Sequence, residues 1–156
     1  MKKKILILFV ILFLVSGCGK KGKVPKGYTE YVFEELHLYV PKDMEFTKVE
    51  TEGYDYCLVG DLMIFVNRVT KAEVHAAGYT DEEFEATVFG GQELPELNGH
   101  HYALFEVEDS EQEYWDLYSL IVSTSDFYDL FFVYDKTDQE RLEPVALDIM
   151  ERLTVK

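Results

Sequence analysis

Alternation of apolar and polar residues after residue 30 predicts a series of short strands. Leu36, Leu38 and Val40 alternate with more polar positions, which is the two-residue period of a half-buried strand. Three further strands are predicted, at residues 46–49, 54–59 and 62–69. The Gly60-Asp61 pair suits a tight hairpin turn between the last two. This part of the chain therefore predicts antiparallel strands.

A helix is then predicted by its boundary residues. Thr80 can act as the N-cap, and Glu83, three residues later, completes a capping box. Gly90-Gly91 predicts the end of this helix. Residues 71–77, just before it, predict a shorter helical segment.

The second half of the chain predicts three consecutive antiparallel strands. Asn98-Gly99 is a strong hairpin signal, because both residues readily adopt positive φ. It joins a short segment at residues 94–97 to the first of the three strands, which are expected at residues 100–108, 114–123 and 127–134. The last two are apolar or aromatic on both faces, as in central strands covered on each side.

A C-terminal helix completes the pattern. Thr137 and Glu140 form a second potential capping box, and a buried stripe follows at Leu142, Val145, Ile149 and Leu153. Pro144 interrupts this helix, so we expect either a kink or a separate first turn with the main helix starting at Pro144. The order of strands, helix, strands, helix predicts an α+β fold with a central antiparallel β-sheet and packed helices.

The first residues are typical of a bacterial lipoprotein signal. Three lysines precede eleven apolar residues at 5–15, which is too short for the roughly 20 residues of a membrane span but suits a signal peptide. Val15-Ser16-Gly17-Cys18 resembles a lipobox, with Val in place of the usual Leu. The resemblance implies removal of residues 1–17 and diacylation of Cys18. An ordinary signal peptide that happens to contain a cysteine is the alternative.

Charge divides the remaining chain into two parts. Residues 18–29 are expected to be the lipidated cysteine and a Lys/Gly-rich tether, and residues 30–156 a single globular domain. The whole chain of 156 residues has a formal charge of -15, but the part after Gly27 has 30 acidic and eight basic side chains, a charge of −22. Such acidity argues against nucleic-acid binding. The basic tether favours attraction to anionic lipid.

Several of these features together resemble a known group of proteins. The Leu-rich strand with its Pro41-Lys42 turn, the Asn98-Gly99 hairpin, the Tyr/Phe-rich strand pair and the terminal helix resemble small bacterial lipoproteins of the PsbP-like group. That group shares its fold with the photosystem PsbP protein and the Ran-binding Mog protein. The resemblance covers roughly residues 30–156. It implies a PsbP/Mog-like sandwich with helices on both faces of the sheet, and work done by binding proteins. It supplies no site residue.

No motif predicts catalysis, a cofactor or a metal. The chain lacks a nucleophile elbow, a phosphate-binding loop, a His-Glu-x-x-His motif and paired zinc cysteines. His100 and His101 are neighbours on a strand, so they point to opposite faces and cannot chelate one ion together without a bulge. The alternative is that either one joins a more distant ligand. The acidic residues 106–113 are interpreted as a solvated hairpin, with a calcium site as the alternative. Cys57 is expected to be a buried apolar residue, with a reactive thiol as the alternative.

The aromatic residues suggest the candidate binding site. The chain has 11 Tyr, 11 Phe and 1 Trp, and several amphipathic rings fall on adjacent predicted strands. The candidate binding residues are Tyr102, Tyr114, Trp115, Tyr118 and Tyr128. They would form a platform for a protein or a glycan if they shared one face, because such rings combine contact area with a polar group. The alternative is that they pack under the helices.

The sequence therefore predicts a non-enzymatic lipoprotein on the extracytoplasmic side of the cell membrane. Its partners would be the lipid bilayer, through diacylglyceryl-Cys18, and a surface or secreted protein. An accessory lipoprotein that binds a small molecule or a glycan is the alternative, and a hydrolase is the third hypothesis. A concave pocket would favour the ligand, and a flat apolar patch with an acidic rim would favour the protein.

Overall fold

A computed structural model describes residues 23–50, 55–108 and 113–156. Within them the strands are β1 (Tyr28–Phe33), β2 (Leu36–Pro41), β3 (Phe46–Glu50), β4 (Asp55–Val59), β5 (Leu62–Thr70), β6 (Glu96–Leu97), β7 (His100–Glu108), β8 (Glu113–Val122), β9 (Asp126–Asp135) and β10 (Thr154–Val155). The helices are α1 (Lys71–Ala76), α2 (Asp81–Phe89) and α3 (Gln139–Arg152), and a 3-10 turn (Lys136–Asp138) precedes α3.

The strands form two antiparallel sheets. The larger has seven strands in the order β3-β4-β5-β9-β8-β7-β6, and the smaller has the order β1-β2-β10. The predicted class, antiparallel sheet with helices, is therefore confirmed. The sequence pattern missed β1 and β10, the two strands that pair with either side of β2. β1 begins at Tyr28, inside the segment predicted to be the tether.

The main core lies between α3 and the two sheets. α3 contacts β2 of the small sheet and β9 of the large one. Leu36, Leu38 and Val40 are buried in this core, as their alternation predicted. Most other buried members come from the large sheet and from α3, and include Leu117, Phe132, Leu142, Ala146 and Ile149. Burying a large apolar side chain stabilises the fold by about 1.5–3 kcal/mol, so this core is the main source of stability.

A second, smaller core lies under α1 and α2. Val74 of α1 and Phe84 of α2 pack with Tyr118, Leu120 and Phe127 of the large sheet. The rings of Phe84 and Phe127 are 4.8 Å apart, centroid to centroid. On β8, Leu117 belongs to the main core and its neighbour Tyr118 to the second core, because successive strand residues point to opposite faces.

The predicted boundaries of α2 and the predicted Asn98-Gly99 hairpin turn are confirmed. Thr80 and Glu83 form the reciprocal capping box of α2, which ends at Gly90 in the left-handed conformation. Asn98 and Gly99 both have positive φ, 53° and 77°, as a type I′ hairpin turn requires.

The start of α3 differs from the prediction. Thr137 does not cap it; its backbone N–H and its hydroxyl instead donate to Asp135 Oδ1, at 2.8 and 2.6 Å. The carboxylate caps the 3-10 turn, and α3 follows with Asp138 as an N-cap that makes no side-chain capping hydrogen bond. The predicted second capping box is therefore wrong, because Thr137 lies inside the 3-10 turn and the N-cap position of α3 falls one residue later, at Asp138.

The helix also does not restart at Pro144. α3 is continuous from Gln139 to Arg152 and contains Pro144 as its sixth residue. Pro144 removes one helical donor and leaves the carbonyl of Glu140 without its i+4 partner. Both residues are exposed, so water can hydrate that carbonyl and the helix tolerates the proline.

Candidate functional site

The structure does not bring the five predicted binding residues to one face. Cross-strand pairing sets Tyr118 opposite Phe131 and Tyr128 opposite Ile121, which sends the two tyrosine rings to opposite sides of the sheet. Tyr118 is a member of the second core and Tyr128 a member of the main core. These two tyrosines are packed under helices or against the small sheet, as the alternative interpretation expected.

Tyr118 has the contacts of a core residue. Its ring lies 4.7 Å from that of Phe131 and 5.5 Å from that of Phe89, and its hydroxyl donates to Asp129 Oδ1 at 2.6 Å. Burial, and then the hydrogen bond to the Asp129 carboxylate, raise the pKa of the Tyr118 phenol. The hydroxyl is thus satisfied inside the protein.

The other three candidate rings are half-buried. Tyr102 and Trp115 pack against the main core, whereas Tyr114 lies on the opposite face of β8. The Lys136 ammonium lies 6.0 Å from the centre of the Trp115 ring and pairs with the carboxylates of Glu106 and Glu113. Any binding by these rings would involve separate surfaces and not a single platform.

A different surface appears on the face that carries the second core. One row of directly paired residues crosses five adjacent strands, from β4 through β5, β9 and β8 to β7. We call it the open face: Leu58, Met63, Val133, Asp116 and Phe105 in order across the strands, with Val107 two residues beyond Phe105 on β7. At about 4.8 Å per strand, the row spans about 19 Å.

The open face is apolar and accessible. Phe105 and Val107 are exposed, at 51% and 43%, and Leu58, Met63 and Val133 are half-buried. None of these five side chains is a member of either core. Single exposed apolar residues are ordinary, but a group of accessible apolar residues on adjacent strands of a sheet, with one acidic residue among them, is typical of an interaction surface.

Asp116 is the only charged residue of the open face. Its neighbours across the strands are Val133 on β9 and Phe105 on β7. Its Oδ1 atom is buried and has no hydrogen-bond partner within the described part of the chain. Burial raises the pKa of the Asp116 carboxyl to about 6, and no neighbouring cation acts in the opposite direction. The carboxylate is therefore held in an unfavourable environment.

The signal for this site was present in the sequence but could not be interpreted there. Asp116 is an acidic residue in the middle of a strand that is otherwise largely apolar on both faces. Asp129 on β9 looks the same in sequence, yet it accepts the Tyr118 hydroxyl. Only the register shows which of the two aspartates has a partner.

The metal and thiol alternatives have no support in the described residues. Nowhere in residues 23–50, 55–108 and 113–156 do three or more His, Cys, Asp or Glu side chains group so that they could hold a metal ion. The tip of the acidic hairpin, residues 109–112, lies outside the described residues. Cys57 is fully buried, and burial raises the pKa of its thiol to about 12, so the reactive thiolate is disfavoured.

Two concave surfaces are relevant to the ligand alternative. A cleft of about 440 Å³ lies between α2 and the β6–β7 hairpin and includes Phe89, Glu85 and His101. A second cleft of about 410 Å³ includes Arg68, Lys48 and Tyr128. Arg68 there already donates to Asp126 Oδ1 at 3.1 Å.

Membrane attachment is not determined by the described part of the chain. None of the helices in that part combines the length and apolar composition that a membrane crossing requires. Cys18, the predicted lipidation site, and the predicted signal peptide at residues 1–17 lie outside the described residues.

Comparisons with known proteins give a fold but no activity. No protein-family model matches the chain, and no curated protein matches it in sequence. A crystal structure from Bacteroides thetaiotaomicron VPI-5482 is similar with a TM-score of 0.58 and 11% sequence identity, covering 83% of this chain and 49% of that one. The present chain thus spans about half the length of that protein. At this identity the similarity shows a shared fold alone.

Two further structures are similar at lower scores. The solution structure of cyanobacterial PsbP (CyanoP) from Synechocystis sp. PCC 6803 has a TM-score of 0.44 and 14% identity, covering 89% of this chain and 97% of that one. The crystal structure of a protein of unknown function, PA94 from Pseudomonas aeruginosa, described as a putative regulator, has a TM-score of 0.41 and 14% identity, covering 83% and 97%.

Proposed function

We propose that this protein is a lipoprotein, anchored through diacylated Cys18 to the extracytoplasmic side of the cell membrane, whose domain binds another protein and catalyses no reaction. The anchor is supported by the lysines, the apolar run and the small residues that precede Cys18. Two acyl chains give stable attachment, and the lysine-bearing tether adds attraction to anionic lipid.

The observation that supports protein binding is the open face. It is an apolar row about 19 Å wide across five strands of a regular sheet, with an acidic residue within it. Small-molecule sites are usually concave and enclose most of the ligand, whereas a row spread across the strands of a sheet suits a protein partner. The absence of a catalytic motif in the sequence is consistent with a binding role.

We also infer that the domain has the PsbP/Mog-like arrangement, with helices on both faces of the seven-stranded sheet. Two features support this inference. The main core includes α3 and the second core includes α1 and α2. Alternating residues of β8 and β9 belong to the two cores.

Metabolic labelling tests the anchor. Cells that produce the full chain are grown with an alkyne-tagged palmitate analogue, and the protein is then isolated and probed for the tag. We expect labelling and membrane fractionation of the native chain and loss of both in Cys18→Ala. Cys57→Ala is the matched control and should retain both, because Cys57 is buried in the core. Equal labelling of the native chain and Cys18→Ala would contradict the anchor.

Crosslinking on intact cells tests the binding role. We expect the lipoprotein to form adducts with a specific protein that is accessible outside the cytoplasm. Adducts with lipid alone would contradict the proposal.

A small molecule or glycan is the second candidate, favoured by the cleft beside α2. His101 and Glu85 supply polar groups there, and Phe89 supplies an aromatic surface. Titration of the purified protein with a panel of neutral glycans tests this candidate. Saturable binding that is lost in His101→Ala and kept in His75→Ala, an exposed histidine outside this cleft, would favour it over protein binding.

A further inference from the structure

The Asp116 carboxylate is difficult to explain in the isolated domain. A buried polar atom is normally hydrogen-bonded, and leaving one without a partner costs about 1–3 kcal/mol. Asp116 Oδ1 has no such partner among the described residues, and the side chains of Phe105 and Val133 on the adjacent strands offer it no polar group. An apolar residue at this position would complete the row and remove the cost.

Two other acidic residues of the large sheet do have hydrogen-bond partners. Asp126 is 5% exposed and accepts hydrogen bonds from Arg68 Nε at 3.1 Å and from the Ser125 hydroxyl at 2.9 Å. Asp129 accepts the Tyr118 hydroxyl. The fold thus satisfies these two carboxylates internally, and Asp116 is the exception in the open face.

The chemistry of the surface selects the kind of partner. The apolar side chains of the open face require an apolar surface opposite them, and the unpaired carboxylate within them requires a donor, most favourably a cation. The part of the chain after Gly27 has a formal charge of −22, so its field attracts a basic partner and repels a second copy of itself.

We propose that the open face docks a protein whose apolar side chains cover the row and whose lysine or arginine pairs with the Asp116 carboxylate. This inference rests on the proposed binding function and names the surface and the chemistry of the partner. Pairing on docking would give the buried Asp116 Oδ1 the hydrogen-bond partner that it lacks within the described part of the chain.

Site-specific photocrosslinking tests this proposal. A benzophenone amino acid replaces Phe105 in the full-length chain, which is produced in its native cells and irradiated. The same probe in place of Val32, which is 52% exposed on β1 of the other sheet, is the control for non-specific capture. We expect a protein adduct from position 105 and little or none from position 32, with the crosslinked segment of the partner apolar and containing Lys or Arg.

Substitution of Asp116 then tests the ion pair. In the Phe105 probe background, Asp116→Asn should lower the adduct yield at least about tenfold, because it leaves the partner's cation buried without a counter-charge. Asp43→Asn removes the same charge from an exposed turn and should leave the yield unchanged. Asp116→Lys should abolish the adduct, and replacing the contacting basic residue of the partner with Glu should restore it.

The outcomes separate the two proposals. A protein adduct from position 32 but none from position 105 would overturn the docking surface and leave the binding function standing. Absence of protein adducts from both positions would count against the binding function as well. Equal yields from the native residue and Asp116→Asn, or an adduct with a second copy of the chain, would overturn the pairing with a basic partner.

Discussion

One face of the seven-stranded sheet has two halves that differ in how they are covered. In one half, Tyr118 and Phe127 lie under Phe84 of α2 and Val74 of α1 and are nearly fully buried. The other half is the open face. It lies on the same strands, β5, β9, β8 and β7, but its side chains belong to neither core. The described residues cover one half of this apolar face and leave the other half accessible.

The two halves also differ in the hydrogen bonding of an aspartate. Asp129, beside the covered half, accepts the Tyr118 hydroxyl at 2.6 Å. Asp116, in the open face, has a buried oxygen without a partner among the described residues. On this face, the covered half therefore supplies a hydrogen bond that the open half lacks. This difference suggests that the open half is completed by another molecule, and the following predictions test it from the largest expected effect to the smallest.

The largest difference should be between two phenylalanines. Phe127→Ala removes a buried ring from the covered half and should lower the free energy of unfolding by about 3–5 kcal/mol. Phe105→Ala removes an exposed ring of the open face and should change it by less than about 0.5 kcal/mol. Urea unfolding of the purified full chain measures both. A large cost for Phe105→Ala would show that the open face is part of the domain's own packing.

A smaller effect is expected for the hydrogen bond of the covered half. Tyr118→Phe keeps the ring contacts with Phe131 and Phe89 but removes the donor to Asp129. Thermal and urea unfolding should show a loss of about 1–2 kcal/mol at pH 7, the usual contribution of a partly buried bond to a charged acceptor. No loss of stability would mean that the hydrogen bond to Asp129 stabilises the folded state no more than water stabilises the Tyr118 hydroxyl in the unfolded state. The two aspartates would then differ less than the geometry indicates.

The smallest effect should have the opposite sign. Asp116→Asn should raise the free energy of unfolding at pH 7.5 by about 1 kcal/mol. This value is lower than the raised pKa alone would give, because solvent screens a partly buried carboxylate. Because the pKa of Asp116 is raised from 3.8 to about 6 on folding, the folded state binds the proton more tightly. The native residue therefore costs no extra stability below pH 4, and its cost grows as the pH rises through 6.

The pH dependence provides the control for this last prediction. Native protein and Asp116→Asn should have equal stability near pH 4 and diverge between pH 4 and pH 7. Other carboxyls, such as Glu30 and Asp81, have lowered pKa values because of hydrogen bonds from His37 and from Lys71. Their protonation at low pH destabilises the native protein and the variant equally, so it cancels in the difference between the two stabilities. A constant difference at all pH values would contradict the assigned titration.

Much of the fold could be predicted from local signals. The Thr80–Glu83 capping box and the Asn98-Gly99 turn each depend on a few neighbouring residues, and both were predicted correctly. Thr70 and Glu73 carry the same capping signature before α1, although residues 71–77 were predicted only as a helical segment. Features that depend on distant pairing were missed: β1 and the two-residue β10 form strands because β2 lies between them.

The candidate site was less predictable for the same reason. The sequence showed many rings on adjacent strands but not their register, and the register sends Tyr118 and Tyr128 to opposite faces. It also showed Asp116 among apolar residues but not whether a donor lies opposite it. Side-chain facing and hydrogen-bond satisfaction are properties of paired strands, so a single strand's sequence does not determine them.

The most direct test combines stability and binding in one variant. Asp116→Asn is compared with the native residue for its unfolding free energy at pH 7.5 and, in the Phe105 probe background, for its photocrosslinking yield on intact cells. If the Asp116 carboxylate pairs with a partner's cation, the variant should be more stable than the native protein and should lose most of the adduct. A variant that is less stable, or that keeps the full adduct yield, would contradict the conclusion that the open face is completed by a basic partner.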